Sequence, residues 1–302
     1  MHKFSAQLLR RLTAGILAVS VACSASACVV NEENGHPEGW QDIQPEPNPD
    51  VVALVPPEIA DKGVITMATN PPFAPAEFKD SHGTIIGFDI DLARAAAATM
   101  GLKLDVRQQD FNMILPAISS GTIDFGASGM TDNEERRRKY DFVDYLTAGI
   151  QWAAPPDSGV DPDNACGLTV AVQRGTVSES DDVPARSEAC VAAGKEPITI
   201  LAYDDSDSAA LAAVLGRADA YSADSPISAW AVERSEGKIE LIGDITDAAH
   251  YGWPVDKGSP LAPALAAALQ SLIDSGDYEA IMTQWGISSG LADSAAINGE
   301  DI

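Results

Sequence analysis

The chain has few basic residues for its length. Of 302 residues, 19 are lysine or arginine and 45 are aspartate or glutamate, which gives a formal net charge of −26. Contacts with nucleic-acid phosphates need clustered lysine and arginine, so this balance argues against nucleic-acid binding. The excess of carboxylates predicts a solvated surface that keeps the protein in solution.

The sequence also lacks the spacing of metal ligands. Its four histidines are scattered, and no CxxC or HxxxH pattern occurs. Zinc sites are typically built from such close ligand pairs. We therefore expect neither a metal ion nor another cofactor.

The apolar run near the N-terminus, LTAGILAVSVA at residues 12–22, is too short to cross a bilayer. It follows a short basic region and precedes small residues, which is the pattern of a signal peptide. Cys23 and Cys28 each end a sequence similar to a bacterial lipobox, and the sequence does not choose between them. We predict a signal peptide with a lipobox over residues 1–28. The mature protein is then lipid-anchored on the extracellular face of the bacterial cell membrane, or periplasmic. The alternative is a secreted protein with two stray cysteines.

Two further segments are predicted from composition. Residues 29–55 are poor in apolar side chains and rich in proline, which predicts a disordered tether. Cys166 and Cys190 form an isolated even pair, and such pairs usually become disulfides in an oxidising exterior. The alternative for this pair is two buried thiols.

From residue 60 onward, strand patterns alternate with helix patterns in two tandem units. The strand patterns lie at residues 63–69, 102–108, 123–128, 167–173, 197–203 and 219–223. Helical patterns follow each of them, and residues 260–286 add one or two helices without a strand. This order predicts an α/β fold with parallel-rich sheets flanked by helices. The small, polar residues 289–302 are predicted to be a loosely held C-terminal tail that could lie along the fold.

Ligands of open parallel sheets bind at the carboxyl ends of the strands, so the residues there are candidates. After residues 123–128, Thr131 and Glu134 match a capping box, which predicts a helix beginning at Asp132 with its N–H groups facing an anion. Arg136, predicted in the second turn, can grip a carboxylate with two hydrogen bonds. An ordinary helix start is the plainer interpretation.

The other strand ends offer partners for this arginine. Thr176 begins a second capping-box pattern in the second unit, and Asp224 ends the strand at 219–223 as a carboxylate available to a cation. Phe73, in a proline-rich loop, and Phe111, at a helix start, are candidate aromatic plates for a ligand. Each also has a structural interpretation, as a cap, a turn residue or part of the core.

The chain resembles the extracellular solute-binding proteins of ABC transporters, and among them family 3, which binds polar amino acids. The matching runs are NPPFAPAEFKDSHGTIIGFDIDLARAAAATMGLKLDV, DFNMILPAISSGTIDFGASGMTDNEERRRKYDFVDY, VAVQRGT, GRADAYSADSP and YEAIMTQWG. The resemblance implies a two-lobed, type II periplasmic-binding-protein-like fold. Lobe 1 would comprise residues 56–150 and 251–288, and lobe 2 residues 151–250. A two-strand hinge would cross near residues 147–153 and 245–252.

The resemblance also implies the binding residues of an amino-acid site. Arg136 would grip the α-carboxylate with help from Gly129 and Thr131, and Thr176 would contact it from the second lobe. Asp224 would bind the ammonium group. The side-chain pocket is expected to include Asn70, Phe73, Glu77 and Phe111. Because related proteins that take basic amino acids often have an acid at the position of Asn70, this residue weakens a lysine or arginine assignment, and the sequence does not name the ligand.

The resemblance further implies a monomeric binding protein that delivers its ligand to a membrane permease, whose identity the sequence leaves open. Two alternatives share the fold. A dehydratase acting on a cyclic amino-acid-like acid would need a general acid or base, for which Glu77 is the candidate. A soluble ligand-sensing module would report to a membrane partner instead of feeding transport.

Overall fold

The structure is a computed structural model and describes residues 35–301. In that range the strands are β1 Val64–Thr69, β2 Phe78–Lys79, β3 Ile85–Ile86, β4 Lys103–Gln108, β5 Phe125–Gly126, β6 Tyr140–Ala154, β7 Thr169–Gln173, β8 Thr199–Tyr203, β9 Ala220–Asp224, β10 Glu240–Asp256, β11 Leu291–Ile297 and β12 Glu300–Asp301. The α-helices are Pro49–Val52, Pro57–Ala60, Phe88–Thr99, Phe111–Ser119, Glu134–Arg137, Val183–Ala192, Ser206–Val214, Ser225–Arg234, Leu261–Ser275 and Asp277–Gln284.

The first sheet has three parallel strands in the order β4-β1-β5. Its central strand is β-branched and apolar, and Ile65 and Met67 are fully buried. Helices Phe88–Thr99 and Phe111–Ser119 connect its strands. The predicted third strand at residues 123–128 is reduced to Phe125–Gly126, which pairs with β1 only at Met67 and Ala68.

The second sheet has seven strands in the order β12-β11-β6-β9-β7-β8, with β10 also paired to β6. Strand β7 runs parallel to both β8 and β9. Helices Val183–Ala192 and Ser206–Val214 connect these three strands, as parallel pairing requires. The carboxyl ends of β7 and β9 therefore share one edge.

Strands β6 and β10 form a long antiparallel pair, from Tyr140 opposite Asp256 to Ala154 opposite Glu240. They contain the two segments predicted as the hinge. Gly149 lies in this pair, and a Cβ atom there would come within 2.5 Å of the side chain of Ile245 and 2.6 Å of a backbone oxygen. Only glycine permits so close an approach of the strands.

The N-terminal segment differs from its prediction. A disordered tether was expected over residues 29–55. Residues 29–34 lie outside the described part of the chain, and residues 35–55 pack on the α/β elements. The Trp40 indole donates to Asp91 at 2.7 Å, and Val51 and Val55 are buried. A segment with few apolar residues is held here because one tryptophan supplies both a large apolar surface and a hydrogen bond.

The C-terminal residues also differ from a loose tail. Strand β11 pairs antiparallel with β6, and β12 folds back on β11. The backbone N–H of Gly299 donates to Asp144 at 2.7 Å. Small residues such as those of this segment suit the close approach, because they let the backbone reach the edge of β6.

The predicted disulfide is confirmed, since Cys166 and Cys190 are bonded at 2.02 Å. It joins the loop before β7 to helix Val183–Ala192. The predicted signal peptide and its two lipobox cysteines lie outside the described residues. Among the helices of residues 35–301, none combines the length and the hydropathy needed to cross a membrane.

Candidate functional site

Arg136 lies in a one-turn helix that begins later than the sequence predicts. The helix spans Glu134–Arg137, and the Asn133 side chain caps it by accepting from the Arg136 N–H at 3.0 Å. The predicted start at Asp132 is wrong because residues 131 and 132 run beside β10. Thr131 bridges Tyr251, and the Asp132 N–H donates to the His250 carbonyl at 2.8 Å. Extended backbone cannot begin a helix there, so Arg136 falls in the first turn.

The guanidinium of Arg136 connects two parts of the chain. Its Nη1 donates to the Thr131 carbonyl at 2.7 Å, and its Nη2 donates to the Gly175 carbonyl at 3.1 Å. Its carbon lies 5.8 Å from the centroid of the Phe111 ring. Burial lowers the pKa of Arg136, while Asp224 opposes that change. The pKa of a guanidinium lies so far above neutrality that the side chain stays cationic.

Asp224 ends β9, immediately before helix Ser225–Arg234. It occupies the position preceding the helix, yet its side chain makes no capping hydrogen bond. Its Oδ2 instead accepts from the Tyr251 hydroxyl at 2.7 Å. Burial raises the pKa of Asp224 to about 6, and the Tyr251 hydrogen bond and the Arg136 charge limit that rise. The cation and the carboxylate thus lie close enough for each charge to influence the pKa of the other.

A small cavity of about 10 Å3 lies against Asp224, while Arg136 stands outside its lining. It is lined by Phe73, Gln173, Thr176, Ser178, Ser206, Ser222, Ala223 and Asp224. The bond from Arg136 to Gly175 and a 2.7 Å bond from the Gln173 amide to Asn70 draw its two sides together. The arrangement is therefore a closed one.

Two amides at the ends of β1 and β7 form an ordered chain. Asn70 Nδ2 donates to the Gln109 carbonyl at 2.8 Å, so Asn70 Oδ1 is the atom that accepts from Gln173 Nε2. That leaves Gln173 Oε1 buried, with no hydrogen-bond partner within the described part of the chain. Sequence reasoning missed Gln173, although the rule that favours residues at strand ends applies to it as it does to Asn70.

The second predicted capping box is only partly present. Glu179 accepts from the Gly175 N–H at 2.6 Å, but the Thr176 hydroxyl donates to the Gln173 carbonyl at 2.7 Å rather than capping a helix. Residues Ser178–Asp182 form a π-helical turn before helix Val183–Ala192. Thr176 nevertheless lines the cavity.

Phe73 and Gly129 meet on the first side of the site. Gly129 has a φ of +52°, and a Cβ atom there would come within 2.6 Å of the Phe73 ring. Its N–H donates to Asp89 at 2.7 Å. The ring can therefore approach this turn because residue 129 has no side chain.

Glu77 lies below the site rather than in the cavity. It is fully buried and accepts a hydrogen bond from the Ser128 hydroxyl. Burial, together with the nearby Asp89 carboxylate, raises the pKa of Glu77 well above its ordinary value. Its predicted contact with the ligand side chain stays a prediction, and it does not line the cavity.

Tyr251, the partner of Asp224, was also missed. It lies in β10, within the predicted crossing strand, and nothing in its local pattern marks it as polar or exposed. A larger cavity of about 870 Å3 lies beside the disulfide and contains neither Arg136 nor Asp224. The smaller cavity is lined by Asp224 and lies where the Arg136–Gly175 and Gln173–Asn70 bonds join the two sides, so we take that cavity as the candidate site.

Comparisons with known proteins agree with this fold. The model of the bacterial extracellular solute-binding proteins, family 3, matches residues 65–288. The arginine-binding protein ArgT of Corynebacterium glutamicum is 57% identical over 288 residues, which are 95% of this chain and 94% of that protein.

Solved structures are similar over most of the chain. An ancestral arginine-binding protein bound to arginine matches with a TM-score of 0.68 and 31% identity, over 74% of this chain and 98% of that one. An ancestral arginine-binding protein bound to glutamine matches with a TM-score of 0.67 and 32% identity, over 75% and 99%. These neighbours confirm the predicted two-lobed, type II fold. The chain belongs to the bacterial extracellular solute-binding proteins, family 3, and is a solute-binding protein rather than an enzyme.

Proposed function

We propose that this protein captures a free amino acid between Arg136 and Asp224 and delivers it to the permease of an ABC transporter. Its relatives support amino-acid binding for such transport. The observation that carries the proposal is a pair of half-buried opposite charges: Asp224 lines the small closed cavity, and Arg136, close enough to influence the pKa of Asp224, joins the two sides through Gly175. An α-amino acid presents the complementary pair, a carboxylate and an ammonium group.

The closed geometry suggests how capture proceeds. An amino acid is far larger than a 10 Å3 cavity, so the two sides must part before it enters. The ligand carboxylate then takes Arg136 donors that otherwise hold the Thr131 and Gly175 carbonyls. The ammonium group meets Asp224. Because the two charges belong to different sides, the ligand binds the closed form better, and closure follows as a population shift.

The preferred ligand in this proposal is L-arginine. The names of ArgT and of the solved neighbours support it. So does the amide chain, because Gln173 Oε1 is a buried acceptor that needs a donor. Leaving such an acceptor unpaired costs roughly 1–3 kcal/mol. A guanidinium or an amide NH2 satisfies it, whereas a side-chain carboxylate would repel it.

The contact between Asn70 and Gln173 changes what Asn70 implies about the identity of the ligand. A neutral residue in place of an acid counts against a basic ligand, but Asn70 orients Gln173 and so contributes an acceptor indirectly. The Phe73 and Phe111 rings can pack on a planar guanidinium. Arginine is therefore compatible with a pocket wall that carries amides instead of carboxylates.

We further propose that Cys23 or Cys28 anchors the protein to the membrane through a lipid, and that the protein acts as a monomer. The lipobox-like sequences support the anchor. Metabolic labelling with a palmitate analogue, in Cys23→Ser and Cys28→Ser variants, identifies the modified residue. Labelling that persists in the double variant would remove the anchor from the proposal.

Isothermal titration with L-arginine, L-glutamine and L-glutamate tests the binding itself. Arg136→Ala should raise the Kd by about thirtyfold or more, because losing one partner of a buried charged contact costs roughly 2–5 kcal/mol. Arg138→Ala is the matched control, since that neighbouring arginine is exposed. An unchanged Kd in Arg136→Ala contradicts the carboxylate grip.

A further inference from the structure

We propose that Phe78 and Trp230 form an aromatic latch that holds the two sides of the site together and sets ligand affinity without touching the ligand. The inference rests on the proposed function for its binding readout. It concerns residues that are absent from the cavity lining.

The two rings come from opposite sides of the site. Phe78 lies in β2, a few residues after Phe73. Trp230 lies in helix Ser225–Arg234, which begins at the residue after Asp224. Their ring centroids are 5.6 Å apart, and the ring planes are inclined by 50°. This is the range of favourable aromatic pairs.

Each ring is supported from behind. The Trp285 ring meets Phe78 edge-on at 5.8 Å, and the Trp285 indole donates to Asp91 at 2.8 Å. On the other side, the Arg234 guanidinium carbon lies 3.4 Å from the centroid of the Trp230 ring. The latch surfaces are therefore ordered before they meet, and closing them costs little conformational entropy.

The latch differs from the other contacts that join the two sides. The bonds from Gln173 to Asn70 and from Arg136 to Gly175 use groups that the proposed ligand would engage. Phe78 and Trp230 do not line the cavity, and their side chains carry no charge to pair with the carboxylate or ammonium group of a zwitterion. Their contact persists when ligand is bound and is lost when the sides part.

Such a contact acts only through the closed population. The apparent affinity of a ligand falls in proportion to the fraction of protein that can bind it. Losing one aromatic pair of this kind should lower affinity by about threefold to tenfold. Since the pair does not contact the ligand, the effect should be the same for every ligand.

The test measures Kd for L-arginine and L-glutamine in Phe78→Ala, Trp230→Ala and the double variant. Each single variant should raise both constants about threefold to tenfold and leave their ratio unchanged. The double variant should have Kd values close to those of the single variants, because each single variant already removes the contact between the two rings. Trp230→Phe should recover most of the affinity, and Leu211→Ala, on exposed surface, is the control.

Three results overturn the latch, two from the titrations and one from a ligand-free measurement. The first is wild-type affinity in both single variants, and the second is a changed ratio between the ligands, which would mean direct contact. A measurement without ligand distinguishes failure of the latch proposal from failure of the proposed function. Paramagnetic relaxation from a spin label detects minor closed conformers, and their population should be lower in Trp230→Ala than in wild type. If wild type binds no amino acid the proposed function fails, while equal closed populations refute the latch alone.

Discussion

The two charged sides of the site differ in how firmly their charges are held. Arg136 donates to two backbone carbonyls and lies over Phe111. Asp224 has one hydroxyl partner, Tyr251, and burial raises its pKa to about 6. The cationic side is therefore charged at every physiological pH, whereas the charge of the anionic side is conditional. Solvation explains the difference, because a guanidinium titrates far from neutrality and a buried carboxylate does not.

The largest effect is expected from removing the charge of Asp224, which is the conditional one of the two. Asp224→Asn keeps the size of the side chain but cannot balance an ammonium group, so Kd for L-arginine should rise about thirtyfold or more. Isothermal titration measures it. Asp204→Asn is the control, because that carboxylate is largely exposed. A change smaller than about twofold would mean that Asp224 does not meet the ligand.

Acidification should weaken binding by a smaller amount. Asp224 has a folded pKa of about 6, so it is ionised above that pH and protonated below it. Between pH 7.5 and pH 5 the Kd of the wild type should rise by about tenfold, because the ionised fraction of a carboxylate with this pKa falls by about tenfold over that range. Titrations at intermediate pH should place the midpoint near 6, and the Asp224→Asn variant should show no such step. A flat wild-type profile contradicts the conditional charge.

The smallest expected effect concerns two neighbouring buried carboxylates, Asp132 and Asp144. Asp144 is buried next to Asp132, whose carboxylate accepts from Arg137 at 2.6 Å. Burial first, and then the Asp132 charge, raise the pKa of Asp144 to about 8. The folded state thus binds more protons than the unfolded state between about pH 4 and pH 8, and the free energy of unfolding should fall as pH rises through that window.

Urea denaturation at pH 5, 6, 7 and 8 checks this slope. Asp144→Asn should flatten it, because asparagine has no proton to lose. Asp141→Asn is the control and should leave the slope between pH 5 and pH 8 unchanged, since hydrogen bonds from Lys257 and Asn298 lower the pKa of Asp141 despite partial burial, so that it stays ionised throughout this window. Equal slopes in wild type and Asp144→Asn would show that Asp144 does not titrate in this range.

Much of the fold follows from short-range patterns. The alternation of β-branched runs with alanine-rich segments predicted β1 and β4 to within one residue and β7 and β8 to within two, since each strand buries its own apolar side chains. Arg136 and Asp224 were found because a residue just past a parallel strand lies at the ligand edge. The disulfide followed from an even cysteine count in an exported protein.

Predictions failed where a distant segment competes with local preference. Thr131 and Glu134 match a capping box, but β10 holds residues 131 and 132 extended, and Asn133 caps instead. The C-terminal residues are small and polar, yet the free edge of β6 pairs with them. Trp40 likewise orders a segment whose composition predicts disorder.

Local chemistry thus settled which elements form and which side chains stand at their ends, because strand propensity, caps and charge act over a few residues. The meeting of Tyr251 with Asp224, of Gln173 with Asn70 and of Phe78 with Trp230 was decided by tertiary structure alone. Each pair joins residues 27 or more positions apart. Such contacts form only when the pairing of β6 with β10 brings the two halves together, and no local pattern encodes that distance.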